Sequence, residues 1–210
     1  MFPLYDENDN RESCGVVNHV LIVLNLICMA MQLCVPSMTD FWALKPAMIA
    51  AHQQSILNLV SHCFLHGGFG HIAGNMWYLF IFGDNVEDMM GSGNYLFFYL
   101  SCGLLSGLGE CLFAPATTTG FIGASGAISG VMAAYLVFYP GSRVRTFIGI
   151  PFYFPKLPAW ILLVSFFLEN LLLFLLDQNM SLGVSFVGHL SGFFAGLLLC
   201  RIAAQRRSPL

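Results

Sequence analysis

Charged side chains are scarce in this sequence. Asp, Glu, Lys and Arg together make up 9% of the 210 residues, whereas roughly a quarter of the residues of a typical soluble protein are charged. Hydrophobic residues make up 57% of the chain. This composition excludes an ordinary water-soluble domain and predicts a protein whose main solvent is the lipid bilayer.

Basic clusters are missing as well. The formal net charge is −3, and no run of Lys or Arg precedes an aromatic cluster. Nucleic-acid binding needs concentrated positive charge, so nucleic acid is excluded as a partner. The seven cysteines form no close pair and most lie in apolar stretches. There a free Cys packs as a small hydrophobe, and we expect no reactive or metal-binding thiol.

Six segments are apolar and long enough to cross the hydrocarbon core, which takes about 20 helical residues. The predicted fold class is therefore an all-α membrane protein with six transmembrane helices in residues 16–203, flanked by short tails at 1–15 and 204–210. Turn-forming stretches such as Gly91–Asn94 and Pro155–Pro158 separate the segments. The predicted spans are Val16–Val35, Phe69–Asp88, Tyr95–Phe113, Gly120–Tyr139, Ala159–Leu176 and Val184–Ala203.

The distribution of Lys and Arg predicts the orientation, because both favour the cytoplasmic side of short loops. With a cytoplasmic amino terminus, Lys45 alone lies outside. Both termini are thus expected to be cytoplasmic in a multi-pass protein of the cell membrane. The basic residues on the inside are then Arg11, Arg143, Arg145, Lys156, Arg201, Arg206 and Arg207.

The loop from about Pro36 to Gly68 is long and rich in apolar and aromatic residues. Two interpretations remain open for it. It is either an amphipathic segment that lies on the outer leaflet or a folded external loop.

Four polar residues fall near the starts of spans two, four and six. His71 and Asn75 come a few residues into span two, while Ser125 and His189 each come five residues into their spans. These spans run in the same direction, so at ~1.5 Å per residue the four side chains share a layer roughly 6 to 12 Å deep. A lone membrane Ser or His is usually structural, but polar groups that share one layer favour a functional site.

Small residues beside this layer predict that spans four and six approach closely. Gly192 and Gly196 share a helical face with His189, and Ser129 and Ala133 share one with Ser125. The Ser125 hydroxyl and the His189 imidazole are then predicted to come within about 3 Å of each other.

This pair has the composition of a catalytic dyad. His189 is the candidate general base and Ser125 the candidate nucleophile, and no acidic residue is placed to orient the histidine. His71 and Asn75 lie at i and i+4 on one helical face, so with the Ser125 N–H they are candidate donors to an oxyanion.

Three stretches, His66–Asn75, Gly123–Gly126 and Gly188–Gly192, resemble in order and spacing the signature blocks of rhomboid intramembrane proteases. The resemblance implies a six-helix core without cofactor or metal. It also implies a Ser125–His189 dyad and an oxyanion site formed by His71, Asn75 and Ser125. The substrates that it implies are single-span membrane proteins, cut near the outer end of the span at small residues.

The same resemblance implies a structural role for Glu87, at the cytoplasmic end of span two. Many members of the family carry an aromatic residue where this chain has Ser129. Ser129 either bonds the His189 ring or fills a small-residue contact, and we favour the contact. Glu169 in span five either bonds within the bundle or affects the opening of that span.

Two further patterns are weaker. His62, His66 and His71 could be read as a metal cluster, but no HExxH motif is present and Gly67 and Gly68 would interrupt an aligning helix. Asn179–Ser181 fits a glycosylation sequon, although its loop is short.

An active protease is the function that these residues favour. The first alternative is an inactive rhomboid-like protein that binds membrane proteins; intact Ser125 and His189 argue against it. The second is a small transporter, which inverted repeats or broken helices would support; neither is evident in the sequence. Oligomeric state and natural substrate are not assigned.

Overall fold

The long apolar runs of the sequence form long helices in a computed structural model, which describes residues 1–8, 14–149, 153–176 and 185–203. Arg11, Arg206, Arg207, the sequon and the tail 204–210 lie outside the described residues, as does Val184. The α-helices are α1 Val16–Cys34, α2 Ser37–Trp42, α3 Pro46–Ala50, α4 Asn58–Ser61, α5 Phe69–Met90, α6 Ser92–Phe113, α7 Ser125–Phe138, α8 Ala159–Leu176 and α9 Phe186–Ala203, with a 3₁₀ turn at His62–Phe64. The strands are β1 Phe2–Asp6, β2 Arg143–Phe147 and β3 Lys156–Pro158.

Within the described residues, four helices (α1, α6, α8 and α9) are long and apolar enough to cross a membrane. The helix α7 is apolar but has 14 residues, and the 22-residue α5 carries three acidic residues near its end. These six helices form the predicted helical bundle. Large apolar side chains cover its outside, as expected of a multi-pass protein that faces lipid. Examples that are at least half exposed are Leu33, Phe97, Leu112, Leu176, Leu198 and Ile202.

The helices alternate in direction. We call the end at which α5, α7 and α9 begin the upper end of the bundle, and the opposite end the lower end. Phe113 and Phe174, near the ends of α6 and α8, lie in ring contact at the upper end. Asn94, near the start of α6, donates to the carbonyl of Ala203, the last residue of α9, at the lower end.

The helix α7 lies in the centre of the bundle. All ten residues from Gly126 to Tyr135 are buried, against α5, α6 and α9. Its glycines allow close contact, because a Cβ on Gly192 would overlap the backbone of Gly126 and one on Gly196 would overlap that of Gly130. The predicted close approach of spans four and six is confirmed.

The predicted start of span four was wrong. We expected the helix from Gly120, but it begins at Ser125, the candidate nucleophile itself. The preceding segment is extended because Phe121 forms an antiparallel bridge with Leu44, with both N–H groups bonded to the partner's carbonyl. Gly123 has φ +131° and donates its N–H to the carbonyl of His62, a conformation that only glycine adopts easily.

The turn predicted at Gly91–Asn94 is shorter than expected. Gly91, with φ +74°, alone separates the two helices, and α6 begins at Ser92 rather than at Tyr95. The Ser92 hydroxyl donates to the Glu87 carboxylate at 2.6 Å.

The segment between α1 and α5 is folded and has its own small core. Large apolar side chains of the same segment are nevertheless exposed, so both interpretations offered by the sequence stay open. Buried Leu44 and Leu59 pack with Phe121. The Asn58 amide donates to the carbonyls of Phe41 and Ala43. These contacts attach the loop to the segment that precedes α7.

A three-stranded antiparallel sheet, which the sequence did not predict, lies beside the helices. The strand β1, within the predicted tail 1–15, pairs with β2, and β2 pairs with β3. The strand β1 packs on α5, where Phe2 stacks on Trp77 and the Trp77 indole donates to the Pro3 carbonyl at 2.7 Å. The strands β2 and β3 contact α8, so the sheet fills space between α5 and α8.

Glu87 stabilises the start of α1. Its buried carboxylate accepts the N–H groups of Val17 at 3.0 Å and Asn18 at 2.7 Å. The first N–H groups of a helix lack intrahelical acceptors, and Glu87 on α5 provides acceptors for two of them in α1. This geometry agrees with the structural role expected for it.

Candidate active site

A cavity of about 630 Å³ opens at the upper end between α5, α7, α8 and α9. It brings the four side chains predicted from the sequence, His71, Asn75, Ser125 and His189, to the wall of one cavity. No hydrogen bond joins the described side chains of Ser125 and His189, whose ring bonds Asn170 instead, so the predicted contact within about 3 Å is not formed in this structure. The volume of the cavity lies within the range typical of ligand-binding clefts, about 300 to 1,000 Å³. The other lining residues are Gly67, Gly68, Gly70, Gly74, Tyr78, Ile122, Ile128, Ser129, Met132, Phe166 and Ser185.

Ser125 is the first residue of α7 and is half-buried at the cavity wall. No side chain caps this helix start. The N–H groups of a first helical turn have no intrahelical acceptor and carry the positive end of the helix dipole. An anion next to Ser125 would therefore meet unpaired donors.

His189 lies in the first turn of α9 and is bonded through one ring nitrogen. Its Nδ1 is 2.6 Å from Oδ1 of Asn170 on α8. The ring of Phe166, also on α8, lies with its centroid 6.0 Å from that of His189. Because an amide oxygen only accepts, Nδ1 carries the proton and Nε2 is left with a free lone pair.

His71 is held as the opposite tautomer. Its Nδ1 accepts the N–H of Gly67 at 3.3 Å, so in the neutral ring Nε2 carries the proton and is a donor. A Cβ built on Gly123 would lie 2.8 Å from this Nε2 and 3.6 Å from the Ser125 hydroxyl oxygen. The donor and the hydroxyl therefore both lie beside Gly123.

Asn75 is the second candidate donor. Its side chain is buried, and its Nδ2 has no hydrogen-bond partner among the described residues. Buried polar groups are rarely left unpaired in a folded protein. An unpaired amide that lines a cavity is what a site for a developing negative charge requires.

Ser129 takes neither catalytic nor ring-bonding geometry. Its hydroxyl donates to the carbonyl of Ser125 at 2.8 Å, one turn earlier on α7. The residue is 1% exposed. The favoured small-residue contact thus agrees with the structure, with an added bond to the helix backbone.

The two other histidines of the possible metal cluster, His62 and His66, are buried beside the site. Nδ1 of His62 is 3.0 Å from the Asn58 carbonyl, and the His66 ring lies 5.2 Å from that of His71. Burial lowers the pKa of each to about 4. Among the residues that the structure describes, no group of three His, Cys, Asp or Glu is arranged to hold a metal ion.

Glu169 does not face the bundle core. It is exposed and lines a smaller cavity of about 200 Å³ with Tyr78 and Phe166, which also line the larger one. This position on the exposed side of α8 leaves its role unassigned.

Asn170 and Phe166 were missed by the sequence reasoning. Both lie one turn apart on α8, at the depth of His189 counted from the upper end. The available signal was a polar residue inside an apolar span. We noted Glu169 by that rule but not its neighbour.

Comparison with known proteins agrees with the family resemblance found in the sequence. The sequence model of the Rhomboid domain matches residues 53–206. Rhomboid protease GluP of Bacillus subtilis is 35% identical over 48% of this chain and 19% of its own length. RHOMBOID-like protein 5 of Arabidopsis thaliana is 30% identical over 79% of this chain and 50% of its own. Rhomboid protein 1, mitochondrial, of Saccharomyces cerevisiae is 25% identical over 45% and 28%. The chain thus spans half or less of the length of these relatives.

Proposed function

Because the chain belongs to the rhomboid family, we propose that it is an intramembrane serine protease that uses Ser125 and His189. The supporting observation is one cavity lined by a serine at a helix start, a histidine and two side-chain donors. The sequence alone predicted the same four residues.

The first step is proton transfer and attack. His189 Nε2 accepts the proton of the Ser125 hydroxyl as the oxygen adds to a substrate carbonyl carbon, and the carbonyl becomes an oxyanion. Collapse of this intermediate breaks the peptide C–N bond, and His189 returns the proton to the leaving nitrogen. Water, activated by the same ring, then hydrolyses the acyl-enzyme.

The oxyanion has three candidate donors. These are the Ser125 N–H, the unpaired Nδ2 of Asn75 and Nε2–H of His71. The Ser125 N–H is fixed by α7 and the His71 ring is held by its bond from Gly67, so these two donors are positioned before substrate arrives. Preorganised donors stabilise the transition state without reorganisation during the reaction.

The shape of the cavity supports a peptide substrate. Gly70 and Gly74 line one wall, one turn apart on α5, and a Cβ on either would meet nothing within 4 Å. The packing therefore does not require these glycines. They leave room beside Ser125 for an unwound segment of a single-span membrane protein.

The described basic residues support the proposed orientation. Arg143, Arg145 and Lys156 lie in β2 and β3, which connect the lower ends of α7 and α8. Arg201 lies at the lower end of α9, whereas Lys45 lies in the loop that connects the upper ends of α1 and α5. By the positive-inside rule the lower end is cytoplasmic. Cleavage would then occur near the outer surface of the cell membrane.

Cleavage by the protein reconstituted in liposomes with a single-span substrate tests the proposal. The wild-type protein should release the substrate's outer domain, whereas Ser125→Ala and His189→Ala should not. Ser101→Ala is a matched control, because Ser101 lies on α6 outside the lining of the cavity. Equal release by wild type and Ser125→Ala would refute the assignment. Absence of release by wild type from a panel of substrates would favour an inactive binding protein.

A further inference from the structure

Asn170 is an unusual residue for its helix. Of the four long apolar helices, α8 is the least buried. Its exposed side chains are four leucines together with Trp160 and Glu169. Asn170 nevertheless points inward and is 6% exposed. A polar side chain buried at membrane depth is costly unless it has partners, and both ends of this amide have one.

The two partners fix which way the amide faces. Nδ2 donates to the carbonyl of Phe166 at 2.9 Å, one turn earlier on α8. That carbonyl can accept only from the NH₂ group, so Oδ1 is the atom that faces Nδ1 of His189. The amide therefore requires the proton of the neutral imidazole to be on Nδ1.

A second contact from the same helix limits rotation of the ring. Phe166 lies four residues before Asn170, and its ring is tilted by 36° to that of His189. Ser129, which the sequence offered as a possible partner of this ring, bonds its own helix instead. In this chain the bracing contacts come from α8.

We propose that Asn170 is a positioning residue that holds His189 as the Nδ1–H tautomer with Nε2 directed to Ser125. This inference rests on the proposed function and extends it, since the pair is then completed by an amide on a third helix. Asn170 does not touch the reacting atoms. It acts by keeping the general base in the one tautomer and orientation that can take the serine proton.

Three substitutions separate this role from a structural one. Asn170→Ala and Asn170→Leu remove the acceptor, and kcat should fall about 10- to 100-fold with KM changed less than about twofold. Asn170→Asp keeps an acceptor and adds a negative charge beside the ring. It should retain more activity than the other two, and the acidic limb of its pH–rate profile should move to higher pH, since the carboxylate stabilises the imidazolium.

Leu168→Ala is the matched control. Leu168 lies on α8 but is 54% exposed, so the substitution should leave kcat, KM and the pH profile unchanged. Thermal unfolding in detergent should be similar for all variants.

A tautomer measurement keeps the test independent of turnover. With ¹⁵N-labelled histidine and the His189 signal assigned by its loss in His189→Gln, Nδ1 should carry the proton in wild type. The signal should shift toward mixed tautomers in Asn170→Leu.

Two results would overturn the inference while the proposed function stands. One is wild-type kcat in both Asn170→Ala and Asn170→Leu. The other is a fall in kcat that parallels a fall in unfolding temperature, with an unmoved acidic limb in Asn170→Asp and an unchanged tautomer. If the wild-type protein does not cleave substrate, or if its cleavage does not depend on Ser125, the proposed function fails, and the positioning role fails with it.

Discussion

Gly192 of α9 lies so close to Gly126 of α7 that a Cβ on Gly192 would overlap the Gly126 carbonyl oxygen. Gly126 follows Ser125 directly, and Gly192 comes three residues after His189. This backbone contact therefore sets the distance between the two helices at the level of the candidate dyad. The same arrangement repeats one turn lower, between Gly196 and Gly130.

Gly192→Ala should separate the two helices and impair both stability and activity. Overpacking of this kind costs about 1 to 3 kcal/mol, and a displacement of ~1 Å can cost about 100-fold in rate. We expect a lower unfolding temperature in detergent and a kcat reduced at least roughly tenfold. Gly93→Ala is the control, because a Cβ there meets nothing within 4 Å. Equal behaviour of the two variants would contradict the close-packing account.

Asn75→Ala should lower kcat by something on the order of 10- to 1,000-fold with little change in KM, because an oxyanion donor acts mainly in the transition state. Steady-state cleavage of the reconstituted substrate measures both constants. Asn94→Ala is the control, because Asn94 lies at the lower end of the bundle; it should leave kcat and KM unchanged. An Asn75→Ala enzyme with full kcat would remove Asn75 from the site.

Glu87→Ala should destabilise the protein without a specific catalytic effect. The substitution leaves the buried N–H of Asn18 and the hydroxyl of Ser92 without their acceptor, at a cost of about 1 to 3 kcal/mol. Glu87→Gln keeps one oxygen acceptor and should lose less. The exposed Asp40 provides a control, since Asp40→Asn should leave the unfolding temperature nearly unchanged. A stable Glu87→Ala protein with lost activity would contradict the structural role.

Stability should fall as the pH is lowered from about 6.5 to 4. Burial lowers the pKa of His62 and His66 to about 4, whereas an unfolded histidine titrates near 6.5. Between these two pH values the unfolded chain binds protons that the folded chain does not. The contribution of the two neutral histidines to the free energy of unfolding is therefore fully present above pH 6.5 and is lost as the pH falls to about 4. Thermal unfolding as a function of pH measures this loss.

His66→Gln should flatten part of that dependence, because it removes one titrating group. His52→Asn should not, since His52 is exposed and its backbone, at φ +55°, suits asparagine. The same pH dependence in His66→Gln as in wild type would exclude His66 as a contributor.

The layer of polar residues could be predicted from the sequence because its signals are local. Helical rise indicates the depth of His189 within its span, and the spacing of Gly192 and Gly196 marks the face that packs. The rise assumed between Gly120 and Ser125 was wrong, because α7 begins at Ser125 itself. The choice of His71 and Asn75 followed from the i, i+4 rule. Each inference needed only one helix at a time.

Features that depend on distant partners were not predicted. The start of α7 is set by the bridge between Phe121 and Leu44, which are far apart in the sequence. The strand β1 forms because its backbone pairs with β2 and accepts a hydrogen bond from Trp77. Likewise, the contact between Asn170 and His189 depends on how α8 packs against α9, which the sequence of neither helix indicates alone.

The central claim is that Ser125 is a nucleophile activated by His189. Labelling of the detergent-solubilised protein with a fluorophosphonate, followed by mass spectrometry of its peptides, tests this claim most directly. We predict an adduct on the Ser125 hydroxyl in wild type, a much slower reaction in His189→Ala and no adduct in Ser125→Ala. Labelling of another serine instead, or undiminished labelling of Ser125→Ala, would contradict it.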